Sequence, residues 1–461
     1  MLMVGWSRYI KTAVVLGMLM LPGLAAADLL HSTDYQLDPD VADNFGGTNN
    51  STDYQLTDSG GEAAVGAGSS QSYQLSQGYQ ASLPQSISLS VLPDSTVAYY
   101  PMDTGTGDEA YDVSANSNNG AIMGSPSWVA GKIGDGLALN GSTQYISIPT
   151  SSTDSQTGTM SIEAWVKLTN YTNTNEIISK TTGSGATNNT FELRTQASTG
   201  DLQFLGYDTA LETVTSTSAV PTGGWHQVAV SKTGSTATLY IDGVPVGSGS
   251  VGTTTSNSNN MLIGARNDLT SSTFLTGSID EVRLYSRTLS TAEVAGDYSA
   301  GQSGLEFAQT MPPLTPGTSV TYSTDCVVRT DAAGYQLSIQ QPSLLLNSDS
   351  VTTLPAISGA TIGSPQPWTE GTTKGFGFTV TGGTDLESSW GTGPYNYAAV
   401  PSTDTVFHSR QSSSSSSASP YYAPPDGTPE VTTLQFRADA ATSQKAGTYT
   451  ATIIYTATLV P

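Results

Sequence analysis

The chain is 461 residues long, enough for two or three domains at roughly 100–200 residues each. It holds 38 acidic and 15 basic residues, for a formal net charge of −23, while charged residues make up only 11% of it. An anion of this kind repels phosphate backbones and anionic lipid surfaces, which argues against nucleic acid as a partner and against contact with a bilayer. The rest of its surface must be Ser, Thr, Asn and Gly with scattered carboxylates, a make-up common among extracellular proteins.

The N-terminus has the pattern of a secretory leader. Arg8 and Lys11 precede an apolar run, Thr12 to Leu24, and Ala25–Ala27 supply small residues for cleavage. The run is shorter than the roughly 20 residues that span a bilayer. Residues 1–27 are therefore expected to be removed, giving a secreted or cell-surface chain that starts at Asp28 and is two units more negative. The terminal stretch ATIIYTATLVP has neither a long apolar tail nor a basic cluster, so no membrane insertion of the mature chain is expected. Cys326 is the single cysteine, which excludes a disulfide within the chain. It sits in the alternating run TYSTDCVVRT and is expected to be buried.

Residues 28–93 contain a repeat. STDYQL occurs at Ser32–Leu37 and Ser51–Leu56, and QSYQL follows at Gln71–Leu75, so Tyr35, Tyr54 and Tyr73 recur every 19 residues. Glycine pairs separate the units. Each unit is too short to bury a core alone; the pattern fits either short stacked strands or a flexible stalk.

Residues 95–300 read as a succession of short strands with polar turns. In WHQVAV, Trp225, Gln227 and Ala229 share one face and His226, Val228 and Val230 the other. ATLYIDG is a mostly apolar strand ended by the hairpin signal Asp242-Gly243. In SIDEVRLYSR, the alternation puts Ile279, Glu281, Arg283 and Tyr285 on one face and Asp280, Val282 and Leu284 on the other. Ser290 with Glu293 three residues on marks the start of a short helix.

Several blocks in this region carry a resemblance. They are TVAYYPMDTGTG, YDVSANSNNGAIMG, KIGDGLALNGSTQYISIP, MSIEAWVKL, GGWHQVAVSKTGSTATLYIDGVPVGSG and FLTGSIDEVRLYSRTLSTAEV. In this order and spacing they resemble the laminin-G-like, concanavalin A-like lectin/glucanase superfamily. The resemblance covers about 200 residues and implies an antiparallel jelly-roll sandwich. It implies ligand binding by class only, of a glycan or another surface protein.

A Pro-rich linker, residues 301–316, leads to a third segment, 317–461. Strand candidates are SVTYSTDCVVRT, GYQLSIQQ, GFGFTVTGG, TTLQFRADA and GTYTATIIYTATLV, with no helix pattern, so a second β-sandwich is expected. The serine run Gln411–Ser419 reads as a mobile loop. The ending resembles the last strand of bacterial WxL-type surface domains. The two Trp-x-Leu motifs of that family are absent: Trp368 is followed by Thr-Glu and Trp390 by Gly-Thr. The whole is expected to be all-β.

The search for catalytic groups gives none. Glucanases of this fold place their carboxylates as Glu-x-Asp-x-x-Glu on one strand, and no such string occurs. Glu163 has no second carboxylate in reach along its strand, and Asp280 and Glu281, being adjacent, are expected on opposite faces. His31, His226 and His408 lack metal-ligand spacing. The chain is therefore expected not to be an enzyme. The resemblance places Trp165 and Trp225 in core strand motifs and leaves Trp128 and Tyr145, nearer loops, as candidate ligand-binding aromatics. It also implies a structural calcium ion at the sandwich edge, where Asp103 and Asp280 meet because the terminal strands lie close together. Asp112 and Asn140 are further oxygen donors for it. Two functions fit these readings. One is a non-catalytic exported binding module for a glycan or surface protein; the other is a structural subunit of a surface layer or appendage, with homo-oligomeric contacts.

Overall fold

In the computed structural model, the described residues are 87–460 apart from 154–155, 183–189, 208–209, 305–307, 331–333, 385 and 412–428, together with short strands before residue 87. The chain divides into two units, one of Met1–Tyr9 with Ser86–Pro461 and one of Ile10–Gln85. In the latter, His31–Ser32 pairs with Tyr35–Gln36, and Gly47–Asn50, Gln55–Asp58, Ala67–Ser69 and Gln74–Ser76 form an antiparallel four-stranded sheet. Tyr54, Tyr73, the cleavage site at Ala25–Ala27 and most of the serine run Gln411–Ser419 lie outside the described residues.

The larger unit is all-β among its described residues apart from the helix Thr291–Gln302 and a short 3-10 turn at Ser388–Trp390. Its central module is a two-sheet sandwich. The front sheet runs, edge to edge, Glu109–Ala110, Gly120–Met123, Tyr145–Ile148, Met261–Ile263, Glu176–Lys180, Phe191–Thr195, Asp201–Tyr207, Leu211–Ala219. The back sheet runs Ser127–Ala130, Asp135–Asn140, Thr276–Tyr285, Met160–Leu168, His226–Thr233, Thr236–Ile241, Val244–Ser250, and Thr96–Tyr100 also pairs with Thr276–Tyr285. Every second residue of each strand points inward. Ile146, Ile148, Phe191, Leu193, Leu202 and Phe204 of the front sheet meet Ile162, Val166, Val228, Val230 and Leu239 of the back sheet in one buried core. The hairpin at Asp242-Gly243 forms as expected, with φ of 52° and 74°, the paired left-handed conformation of tight hairpin turns.

Register shifts interrupt the alternation at several places in the module, and one of them reorders the faces around Glu281. Between Glu163 and Trp165 the pairing with Thr276–Tyr285 shifts register, so that Trp165 faces Asp280 and Glu163 faces Arg283. Glu281 is the extra residue and takes φ of 54°. Ile279, Val282 and Leu284 consequently all point into the core. The simple alternation, which put Ile279 with Glu281 and set Asp280 and Glu281 on opposite faces, is corrected by this bulge: the Glu281 charge acts directly on Asp280.

The helix begins as expected at a capping box. The Ser290 hydroxyl accepts from the Glu293 amide and the Glu293 carboxylate from the Ser290 amide. It packs on the outer face of the back sheet, with Tyr298 stacked on Trp165 at 5.7 Å. Trp165 is buried there, under the helix, rather than between the sheets, and Trp225 is half-buried.

The second sandwich is built from a four-stranded sheet, Gly375–Gly382, Glu430–Asp439, Val320–Thr330, Ile87–Pro93. A three-stranded sheet, Thr405–Gln411, Gly334–Gln340, Ile454–Val460, and a five-stranded one complete it; the latter holds Tyr449–Thr452 and Ala308–Met311 on either side of Leu2–Gly5. Cys326 is fully buried in its core, as expected, beside Phe378, Leu434 and Phe436.

The strand Ile87–Pro93 changes the domain map. Assigned from sequence to the N-terminal repeat segment, it instead pairs along its whole length with Val320–Thr330. The central module thus lies in sequence between Ile87–Pro93 and the strand it pairs with, Val320–Thr330. Leu92, Tyr99 and Val327 share a buried cluster at the junction. Arg329, itself buried, donates to the main-chain oxygens of Asp112, Val113 and Ser114 and to the Ser117 hydroxyl, at 2.6–3.2 Å.

Candidate carbohydrate-binding face and cation site

The outward face of the front sheet is unusually polar for strands this apolar on their other side. Its register aligns Glu176, Arg194, Gln203 and Thr215 as neighbours across four strands, and Ser179 and Glu192 as neighbours in the adjoining row. Arg194 donates from Nη1 to Glu192 Oε2 at 3.3 Å and from Nε to Gln203 Oε1 at 3.2 Å. Gln203 donates onward to Thr215 Oγ1 and Gln196 Oε1, both at 3.2 Å. Beyond the strand ends, Arg266 forms a two-pronged pair with Asp268, at 2.8 and 3.1 Å. A planar guanidinium held on both prongs is fixed in orientation.

Glu176 and Glu192 lie beneath these groups. Burial pushes the Glu176 carboxyl well above the usual carboxylate range, and the neighbouring Glu192 charge adds to the rise. Glu192 is raised for the same first reason, burial, while Arg194 pulls it back. Both Glu176 carboxyl oxygens are buried with no hydrogen-bond partner. Burial of this kind favours the neutral form of a carboxyl over the charged one.

Tyr145 belongs to this face. It packs at the edge of a small cluster with Leu262, Ala265 and Phe274, meeting the Phe274 ring edge-on at 6.0 Å. Trp128 does not: it sits on the edge strand of the back sheet, half-buried against the core, with its indole nitrogen donating to the Gly107 carbonyl at 3.2 Å. The two aromatics proposed together from sequence are thus on opposite sheets.

Asp103 and Asp280 do meet, through the pairing of Thr96–Tyr100 with Thr276–Tyr285. The turn 131–135 wraps between them. Asp280 Oδ2 accepts from the amides of Lys132 and Ile133 at 2.7 and 3.1 Å, and Asp103 Oδ1 accepts from the amide of Asp135 at 3.0 Å. Two glycines make the approach: a Cβ on Gly134 would stand 2.0 Å from Asp103 Oδ1, and one on Gly131 would stand 2.6 Å from Asp280 Oδ2. Asp280 Oδ1 is buried without a hydrogen-bond partner. Burial, with the Glu281 and Asp103 charges adding, pushes the Asp280 carboxyl up to about 9.

The other two proposed oxygen donors are elsewhere. Asn140 lies five residues along the strand from Asp135, about 16 Å at roughly 3.3 Å per residue. Its side-chain oxygen caps the turn at Ser142 and Thr143. Asp112 is fully buried and its carboxylate accepts from the amides of Tyr99, Ser114 and Asn118, at 2.9–3.0 Å. Among the described residues no group of three or more acidic, His or Cys side chains is placed to hold a metal ion. An oxygen-seeking cation here would rest on Asp103, Asp280 and main-chain carbonyls. The orphaned Asp280 Oδ1 fits such a cation, which would supply the missing positive partner.

The back sheet carries a second buried polar layer, under the helix. Tyr99 donates to Glu281 at 2.8 Å, Arg283 pairs with Glu281, Gln227 donates to Glu163 at 3.2 Å, and Asp297 of the helix lies against Glu163. These groups join strands to helix and are closed off from solvent. His226 is half-buried on its strand and its Nδ1 contacts Asp242 at 2.8 Å, a structural pairing beside the hairpin turn.

Residues 140–295 match a family model described as the concanavalin A-like lectin/glucanases superfamily, and the central module has that fold. Among solved structures, domain 4 of AbnA, an extracellular arabinanase from Geobacillus stearothermophilus determined with arabinotriose, is 22% identical. The alignment covers 44% of this chain and 98% of that one, with a TM-score of 0.36. The binding domain of Paraclostridial Mosquitocidal Protein 1 is 13% identical over 57% of this chain and 62% of its own, with a TM-score of 0.36. Trypanosoma rangeli sialidase is 17% identical over 44% and 32%, with a TM-score of 0.35. The chain thus spans less than two thirds of the latter two. A comparison with curated protein sequences gives no match.

The Glu192–Arg194–Gln203 ladder was missed in the sequence. Its signal is the alternation in FELR and DLQF, where Glu192, Arg194, Asp201 and Gln203 fall between Phe191, Leu193, Leu202 and Phe204. That pattern identifies an outward polar row; it does not say which rows become neighbours.

Proposed function

We propose that the protein is an exported, non-catalytic binding protein whose central module takes a glycan on the outward face of the front sheet. The observation that carries this reading is the Arg194 guanidinium, 19% exposed on the outward face and held in one orientation by the buried Glu192 and Gln203 of rigid strands, with Tyr145 farther along the same face. Sugar hydroxyls both donate and accept, and the N–H groups that Arg194 leaves exposed suit them as donors. Tyr145 offers a ring face for stacking against a pyranose. The concanavalin A-like fold of the module supports the same class of ligand.

Binding without hydrolysis is part of the reading. Glycosidic cleavage pairs one protonated with one ionised carboxyl across the scissile bond. Glu176 and Glu192 are both raised and both buried under the ladder, which suits a platform better than an acid–base pair. A calcium ion at Asp103 and Asp280 would have a structural role, and the leader-like pattern of Arg8, Lys11 and Thr12–Leu24 supports export. The test is a glycan array probed with the full mature chain and with Arg194→Ala. Retention of at least one oligosaccharide, weakened about tenfold or more by the substitution, with no new reducing ends on prolonged incubation, is expected. A folded protein that retains no glycan would refute the proposal, and ordered polymers by electron microscopy would turn it toward a structural subunit.

A further inference from the structure

Resting on the export part of that reading, we infer that removal of the leader opens a one-strand slot in the second sandwich, and that the first Tyr-Gln-Leu repeat of a second copy of this chain fills it. Leu2–Gly5 lies between two strands of the five-stranded sheet, pairing antiparallel with Ala308–Met311 and parallel with Tyr449–Thr452. It belongs to the leader, ahead of Arg8 and Lys11. Without it the two flanking strands stand about 9.6 Å apart, twice the spacing of paired strands, and cannot bond to each other. Each then presents a row of unpaired main-chain groups, the template on which an extended segment adds. Met311, Tyr449 and Ala451, which belong to the sandwich core, lose the strand beside them.

The slot specifies what can enter it. Its first position lies opposite Met311 and Tyr449 and its third opposite Ala451, all core residues, whereas its second lies opposite Thr450, which is exposed. The leader offers Leu2, Met3 and Val4 to these positions. Tyr35-Gln36-Leu37 offers an apolar residue to each core position and a polar one to the exposed position. In the leader's register, Tyr35 stands against Tyr449, Leu37 against Ala451, and the Gln36 amide beside the Thr450 hydroxyl. The other two repeats are less free, because Gln55–Asp58 and Gln74–Ser76 are held in the four-stranded sheet. Among the described residues Tyr35–Gln36 pairs with His31–Ser32 alone. A two-stranded pair so short is marginal in water, and it lies close behind the new N-terminus at Asp28. A second copy is the occupant because the sheet exposes more than the slot. Leu344, Leu346 and Val351, on and beside the strand next to Tyr449–Thr452, are 45%, 36% and 81% exposed, and a neighbouring molecule seated there covers them, as the chain's own short arm would not.

The test uses cysteine pairs, since Cys326 is buried and the chain has no other cysteine. Gln36→Cys and Thr450→Cys are made in separate copies of the full chain, which are exported, mixed and oxidised. Opposite positions on paired strands lie within reach of a disulfide. A disulfide-linked dimer with one copy of each variant is expected. It should be lost when the Gln36→Cys copy also carries Tyr35→Asp and Leu37→Asp, and when the partner instead carries Thr213→Cys, exposed on the front sheet. A dimer that survives either change, or no dimer from folded copies that have lost residues 1–27, would overturn this inference and leave the glycan-binding reading standing. A link confined to single chains carrying both cysteines would overturn it too. Exported copies that retain Met1 would instead remove the expected leader cleavage, and this inference with it.

Discussion

Arg329→Met tests whether the inserted module and the second sandwich behave as one folding body. The guanidinium is buried and closes the loop 112–117 with four hydrogen bonds, three of them to main-chain oxygens that have left water with it. Methionine keeps the apolar stem and removes every donor. Each hydrogen bond from a charged donor contributes about 1.5–3 kcal/mol, but the four share one group, and removing it also removes the cost of burying a charge. Losing one side of such a buried arrangement costs about 3–5 kcal/mol. A loss of about 3 kcal/mol is expected, or roughly 4 °C in melting temperature for a body of about 370 residues at about 2.1 cal/mol/K per residue. Calorimetry of the full chain is the assay. The wild type should show a transition in which the sandwich and the module melt together, whereas the variant should melt lower and show the two separating. A change below about 0.5 kcal/mol, with the transition shape preserved, would refute the coupling through Arg329 and leave it to the strand Ile87–Pro93 and the cluster of Leu92, Tyr99 and Val327.

Three further outcomes are expected. In the absence of calcium, Glu163, Glu176 and Asp280 all have folded-state carboxyls raised first by burial. The native state therefore holds more protons than the unfolded chain above about pH 4, and stability falls as pH rises, for Asp280 through about 9; denaturant midpoints that climb between pH 5 and 9 would contradict this, and Asp280→Asn should flatten the alkaline part of the fall. Calcium at 100-fold above its dissociation constant should add about 2.7 kcal/mol of stability, more readily at pH 8 than at pH 5 because the ion needs the ionised Asp280; Asp280→Ala should abolish the gain and Asp268→Ala should retain it, while equal melting temperatures with calcium and with chelator would remove the site. A chain of residues 308–461 should aggregate or melt well below the full protein, because Val320–Thr330 loses the partner along one edge; appending Ile87–Pro93 through a flexible linker should restore solubility, and a stable, monomeric 308–461 would show the strand to be dispensable.

What could be read from the sequence was local. The hairpin at Asp242-Gly243, the cap at Ser290 and Glu293, the burial of Cys326 and the inward rows of WHQVAV each depend on residues within a few positions of one another, and each forms. The meeting of Asp103 and Asp280 was legible for another reason: it follows from the resemblance, which places the first and last strands of the module side by side. Two errors came from the same cause as these successes, an assumption that local pattern runs unbroken. One extra residue at Glu281 reverses the faces before and after it, and no periodicity can announce a bulge. Asn140 was an oxygen donor by type, but its place at the far end of its strand spends it on a turn.

The parts that bear most on function are non-local. Ile87–Pro93 finds its partner more than 200 residues away, across the entire inserted module, so a strand next to the repeats in sequence belongs to the last domain in space. The ladder has the same origin. Glu192 and Arg194 could be assigned to an outward row from alternation alone, but what makes a site is that this row lies beside Gln203 on one side and Glu176 on the other. That adjacency is set by strand order and register. Arg266 and Asp268 join it only because the loop that carries them follows Met261–Ile263, the neighbour of Glu176–Lys180, bringing their charges to bear on Glu176 and Glu192.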